Sequence, residues 1–317
     1  MLHLRIYSVP ELTDAVVALM GEHKVNEFAV FRGVGHSPAT DFVSAEVVRE
    51  SANNVIASLY ELGIQDLGAI QLDMVDAWIS RPDLSAQEQA PGQGDDAVVW
   101  AEVTHRAYED SALTWTYVTF MVLATTIAMI AIALDSQVLL IGAMVLGPEF
   151  GAIAALGLAA VRRRLNLFQM ALRTLVVGFV VAIAITTVLA FVARELGWIV
   201  QEDVTGPRPF TAFIYTPDKW SFIVALIAGA AGVLALTSAR IGGLSGVFIS
   251  VTTVPAAGNV AIAAAFGAWY EVAGSAAQLV LNIAGMTLSG WLTLVLQQSV
   301  WRRVLPGSQR RMDEPSS

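Results

Sequence analysis

The sequence predicts a polytopic α-helical membrane protein with a small α+β domain at its front. Three observations carry that expectation. Hydrophobic residues make up 56% of the 317 and mean hydropathy is +0.62, a composition outside that of ordinary soluble domains. Charge is unevenly divided: residues 1–110 hold 18 Asp+Glu against 6 Lys+Arg, whereas residues 111–317 hold 9 against 12. The basic-leaning back also contains about six apolar segments, each long enough to cross a ~30 Å hydrocarbon core.

The front reads as strand, helix, strand, strand, helix, strand. LHLRIYSV alternates apolar and polar residues, as a half-buried strand does. SVPELTDAVVALM follows as a helix, with Ser8 and Glu11 at capping-box spacing and Pro10 suited to the first turn. VNEFAVFRGV and DFVSAEVV read as strands, RESANNVIASLYEL as a helix and LGAIQLDMVDAWI as the last strand. The order βαββαβ predicts a ferredoxin-like domain over residues 1–80. Its GVGHSP turn (Gly33 to Pro38) could touch a phosphate, but no helix N-terminus follows it directly, and it reads as a hairpin loop.

Residues 81–111 are expected to form a linker, RPDLSAQEQAPGQGDD, followed by an amphipathic helix in AVVWAEVTHRAYEDSA. The spans are placed near 112–134, 137–161, 170–193, 220–238, 243–268 and 275–299 within a transmembrane domain of residues 112–301. A basic, then polar, tail takes residues 302–317. Arg162, Arg163, Arg164, Arg173, Arg240, Arg302, Arg303, Arg310 and Arg311 fall on one side of these spans. The other side holds Arg194, Arg208 and Lys219 beside six carboxylates. This positive-inside bias places both termini in the cytoplasm. The first three spans then run opposite to the last three, a possible 3+3 inverted repeat. The chain start lacks a basic stretch leading into an apolar run, so no cleaved signal peptide is expected.

The middle segment of each triplet is interrupted by proline: GAMVLGPEFGA at Pro148 and GVFISVTTVPAAGNVA at Pro255. Proline removes a helical hydrogen bond and leaves carbonyls that a bound ion or substrate can satisfy. Glu149 adds a carboxylate mid-span, where a charge costs on the order of 3 kcal/mol. The expected ion- or substrate-binding residues are therefore Pro148, Glu149, Thr252, Thr253, Pro255, Asn259 and Asn282, with Asn259 offering its amide to the site of Glu149. Ser250, Thr125 and Thr126 are weaker candidates, and Asp135 reads as a turn residue. Helix packing explains Asn259 as well as binding does, and backbone capping or helix packing explains Ser250, Thr252, Thr253, Asn282, Thr125 and Thr126 better.

The chain has no cysteine and only four scattered histidines, so disulfides, thiol chemistry and a clustered metal site are not expected. No catalytic constellation is visible, and no enzyme activity is expected; cofactors stay unknown. The acidic front argues against nucleic-acid binding. LIGAMVLGPEFG, LAAVRRR, LIAGAAGVLALTSAR and GVFISVTTVPAAGN, with FRG and EVVRESAN in the front, resemble the domain of unknown function 389 family. That resemblance implies a bacterial plasma-membrane protein and brings no settled activity. The residues favour a transporter or channel for a small ion or solute, contacting lipid and assembling as a homo-oligomer. The alternative is a membrane-anchored sensor or scaffold whose soluble domain binds a small molecule without transport.

Overall fold

The computed structural model describes residues 2–23, 25, 27–74, 98–216, 218–237 and 253–304. The expected linker over 81–96, residues Ser250 and Thr252, and the tail beyond Val304 lie outside them. The chain divides into two compact units: residues up to Val103 form the first together with Thr237–Arg240 and the chain from Gln297 onward, and Thr104–Leu236 with Ile241–Leu296 form the second.

The front unit runs β1 (Leu2–Ser8), α1 (Pro10–Glu22), β2 (Phe28–Phe31), β3 (Asp41–Val47), α2 (Arg49–Glu61), the short α3 (Ile64–Leu67) and β4 (Ala69–Met74). The four strands form one antiparallel sheet in the order β2-β3-β1-β4. Period-two patterning determines its faces. Leu2, Leu4 and Ile6 of β1 and Val43, Ala45 and Val47 of β3 point into a core. Val16, Leu19 and Met20 of α1 and Val55, Ile56 and Leu59 of α2 complete that core. Each such fully buried side chain contributes about 1.5–3 kcal/mol of transfer free energy. On the opposite face Tyr7, Phe42 and Phe31 are in register across three strands, with ring centroids 5.2 and 5.8 Å apart. The chain rejoins this unit after the undescribed stretch: Asn53 donates to the Val98 carbonyl at 2.7 Å and accepts from the Trp100 N–H at 3.1 Å.

One expectation about helix entry is corrected. The cap of α1 is Val9, not Ser8, and no capping box forms. Pro10, with its fixed φ, takes the first helical position, which leaves a residue without a side-chain acceptor at the cap. Ser8 instead donates its hydroxyl to the Val9 carbonyl.

The buried carboxylate of Asp41 ties the β2–β3 loop to α1. It accepts from the Gly33 N–H and from the Thr13 hydroxyl, both at 2.7 Å. These two bonds, the backbone one foremost, hold it below the ordinary aspartate range. A depressed folded-state value contributes stability that is complete above the unfolded value near pH ~4 and lost as pH falls through the folded value. Hydrogen exchange on the full chain should therefore show β3 amides losing protection below about pH 4. Asp41→Asn should be less protected at neutral pH and lose this acid dependence; an unchanged acid limb in the variant would assign it to another group.

The second unit is helical. α4 (Trp100–Asp110) leads into α5 (Trp115–Ala133), which Thr114 caps by accepting the Tyr117 N–H at 3.1 Å. Asp135, in the left-handed region at φ 45°, turns the chain into α6 (Gln137–Leu146). After Gly147 and Pro148 the chain resumes as α7 (Glu149–Arg162), bent by 55° from α6. α8 (Leu165–Glu195), the short α9 (Gln201–Thr205), a 3-10 turn (Ala212–Ile214), α10 (Lys219–Thr237), α11 (Thr253–Ala265) and α12 (Trp269–Val304) follow.

Among the described residues α5, α8, α10 and α12 are long and apolar enough to cross a membrane, and the bent pair α6–α7 makes a fifth candidate. Of the expected span over 243–268, the described part is α11, 13 residues long. Exposed side chains such as Val176, Val180, Ile227 and Val280 form the apolar exterior that lipid requires. α7 and α11 are the buried pieces. Ala152 to Ala159 of α7 are all buried, as is every residue of α11 except Val260 and Ala264. Glycine permits this: a Cβ on Gly258 would lie 2.7 Å from the Ala128 Cβ of α5.

Candidate functional site

Pro148 has no N–H to donate, so α6 ends at Leu146 and α7 starts one residue after the proline. Glu149 is thereby placed in the first turn of α7, where the positive end of the helix dipole favours a carboxylate. It is fully buried. Thr253, the first residue of α11, donates its hydroxyl to Glu149 Oε1 at 2.5 Å. A Cβ on Gly147 would crowd Glu149 Oε2 and stand 2.7 Å from a Val254 methyl. The two proline-interrupted segments therefore meet at Glu149, and Pro255, buried in the first turn of α11, lies two residues from the contact.

Beside this junction is an open cavity of 370 Å³. Gly147, Pro148, Phe150 and Gly151 supply the wall nearest Glu149, while Glu109, Asp110 and Tyr117 face it from α4 and α5. Burial, reinforced by the neighbouring Glu109 charge, pushes the Asp110 carboxyl above the ordinary aspartate range, with Arg106 acting in the opposite direction.

Asn259 is not part of the Glu149 site. It lies six residues beyond Thr253, about 9 Å along α11. There it donates to Ser275 Oγ at 2.8 Å and to Glu271 Oε2 at 3.2 Å, and accepts from Arg208 Nη1 at 3.2 Å. Arg208 Nη2 also donates to Glu271 Oε2 at 2.5 Å, and its guanidinium lies 5.2 Å from the Tyr215 ring centroid. All four polar residues are buried. The sequence placed Arg208 and Glu271 among ordinary loop charges and missed this network. The available signal was an arginine between two prolines, GPRPF, on the acidic side of the spans.

The remaining candidates are dispersed. Asn282 is buried on α12 and accepts from Gln278 Nε2 at 3.4 Å. Thr126 and Thr186 share a 3.3 Å hydrogen bond between α5 and α8, and Thr125 is fully buried beside it on α5. Asp135 accepts from the Thr211 hydroxyl at 2.8 Å and the Phe210 N–H at 3.3 Å, which fastens the segment after α9 to the α5–α6 turn.

The model of the family described as domain of unknown function (DUF389) matches residues 144–288, from the end of α6 to the middle of α12. No curated protein and no solved structure matches. The matched stretch contains Pro148, Glu149, Thr253, Pro255 and the Arg208 network, and over it the chain is similar to the DUF389 family.

Proposed function

We propose that the helical unit transports or conducts a small ion or solute, with Glu149 as its mid-membrane binding group. The observation that carries this reading is a fully buried carboxylate at a helix break, held by a hydroxyl from the second interrupted segment. Burying an ionisable group among apolar helices costs several kcal/mol, and such groups mark ion pathways and proton relays. Pro148-x-x-Gly151 and Pro255-x-x-Gly258 recur at the starts of α7 and α11. Among the described helices a 19-residue one, α5 or α10, comes before each motif and one of 31 or more residues follows it. This recurrence supports an inverted repeat with the site between its halves.

The distribution of arginines supports a plasma-membrane protein with cytoplasmic termini. The strand order β2-β3-β1-β4 supports a ferredoxin-like regulatory or assembly domain. In this reading the protein is a homo-oligomer without enzyme activity.

The test is flux in proteoliposomes across protons, monovalent cations, anions and small solutes, with wild type beside Glu149→Gln. Flux in the wild type that falls at least roughly a hundredfold in a folded variant is expected, as for loss of a buried charged contact. Equal flux in both proteins would make Glu149 structural. A sensor or scaffold is the second reading, and the partly exposed aromatic row Tyr7–Phe42–Phe31 favours it. It predicts no flux for any substrate, together with saturable metabolite binding that Tyr7→Ala abolishes.

A further inference from the structure

We propose that the buried face of α12 binds an alkali-metal cation, with Gln278 and Asn282 as oxygen ligands at the level of Glu149. This deepens the transport reading by naming a substrate class and a further binding residue, and rests on that reading only for passage of the ion beyond the site.

α12 has two unlike faces. At about 100° per residue, Glu271, Ser275, Gln278, Asn282, Gly285 and Ser289 fall within about 40° of one line along the helix. All six are buried. Ala277, Val280 and Ala284, on the opposite side, are exposed. The side turned into the bundle is therefore the polar one, the reverse of an ordinary amphipathic helix in water. From Glu271 to Ser289 the stripe rises about 27 Å, close to the whole ~30 Å hydrocarbon core.

Small polar residues can serve as contacts between membrane helices, and two members of the stripe do so. Ser275 accepts from Asn259 on α11 at 2.8 Å, and Ser289 donates to the Leu226 carbonyl of α10 at 2.5 Å. Gln278 is different, and is the independent observation. Its Nε2 donates to Asn282 Oδ1 at 3.4 Å, which holds the amide head on the stripe. Its Oε1 is buried and has no hydrogen-bond partner among the described residues. A buried carbonyl oxygen left so is costly unless a ligand completes it.

The stripe also reaches the level of the helix break. Three residues link α11 to α12, and Asn259 bonds both Glu271 and Ser275, so the two helices form an antiparallel hairpin. Thr253 lies about 9 Å from Asn259 along α11, and Asn282 about 10 Å from Ser275 along α12. Thr253, which donates to Glu149 Oε1, thus shares a level with Asn282, one turn beyond Gln278. Glu149, Thr253, Gln278 and Asn282 are all fully buried.

Charge and ligand type select the ion. The one carboxylate on the stripe, Glu271, is offset by Arg208; the other polar groups are amides and hydroxyls. Neutral oxygens of this kind replace the hydration shell of an alkali ion, whereas calcium takes several carboxylates. An anion would meet Glu149 at this level unfavourably.

The experiment is isothermal titration calorimetry on the full chain in nanodiscs, with sodium, potassium and rubidium chlorides as probes, at constant ionic strength balanced with N-methylglucamine chloride. At least one cation should bind saturably. Gln278→Met, of similar length and shape, should weaken binding roughly tenfold or more, as for loss of a contact to a charged group. It should melt no lower than wild type, because it removes a buried oxygen that has no partner. Asn282→Leu should weaken binding in the same direction. Gln201→Leu, on an exposed residue, should leave it unchanged. No saturable binding by wild type overturns the site. So does unchanged affinity in Gln278→Met and Asn282→Leu, and if their Tm falls as well the stripe is a helix contact. Flux measured on the same preparations separates the two readings. Cation binding that depends on Gln278 without any flux defeats transport alone; flux that depends on Glu149 but not on Gln278 or Asn282 defeats the α12 site alone.

Discussion

Arg208→Ala should destabilise the helical unit by roughly 3–5 kcal/mol, the usual cost of removing one member of a buried ion pair. Among the described residues, the variant leaves the buried Glu271 carboxylate with the Asn259 amide as its side-chain donor. It also leaves Asn259 Oδ1 without its guanidinium donor and removes the cation from the Tyr215 ring. For a unit of this size the loss corresponds to a fall in Tm of roughly 6–20 °C. Thermal unfolding in detergent, followed by tryptophan fluorescence and by loss of the monodisperse peak, measures it. The double variant Arg208→Met with Glu271→Leu should recover most of the loss, because a buried pair is worth little against apolar residues of similar volume while a lone buried charge is expensive. The double-mutant cycle should therefore be strongly non-additive. Additive behaviour, or a single-variant shift below a degree or two, would mean that water reaches the pair.

Gly258→Val should be comparably harmful through crowding. A Cβ at this position would stand 2.7 Å from the Ala128 Cβ and 3.0 Å from the Met129 backbone nitrogen. A side chain can rotate away, but the backbone of α5 cannot, so α11 has to move. Overpacking of this kind costs about 1–3 kcal/mol, occasionally more. Ala128→Gly should rescue the variant in part, since it removes the nearer atom and leaves the backbone contact. Gly142→Ala is the control: nothing lies within 4 Å of its added Cβ, and helix propensity favours alanine by about 1 kcal/mol. If Gly258→Val melts like Gly142→Ala, the α5–α11 approach is looser than the structure describes.

Much of this architecture was legible because it depends on local pattern. The alternation in LHLRIYSV reports the faces of β1 because strand periodicity needs no knowledge of partners. The break at Pro148 was visible because proline's effect on a helix is covalent. Glu149 stood out because a charge within an apolar run is anomalous wherever that run folds. Helix entry at α1 was misread by one residue, since Pro10 and Ser8 offered competing starts and only the backbone decides between them.

The Arg208 network shows what local pattern does not contain. Arg208 is 51 residues from Asn259 and 63 from Glu271. Each is unremarkable alone: a loop arginine, a span-end glutamate and an asparagine near a proline. Their meaning comes from the segment after α9 folding back, and the anchors for that return, Thr211 and Phe210 on Asp135, are themselves 76 and 75 residues apart in sequence. Asn259 was assigned to the wrong polar neighbour for the same reason. Proximity to Pro255 in sequence suggested the Glu149 site, while the rise of α11 carries it to another level of the bundle.

The unequal helix lengths bear on the bilayer itself. α5 and α10, at 19 residues each, span about 28 Å and match the hydrocarbon thickness almost end to end. α8 and α12, at 31 and 36 residues, reach about 46 and 54 Å. To fit a ~30 Å slab by leaning, they would need angles of about 50° and 56°, beyond the 0–40° found for membrane helices. They therefore overshoot the acyl region while their short neighbours just fill it. Shorter chains are met by tilting the helices, and longer chains by thinning around α5 and α10, the two candidate spans with no length to spare.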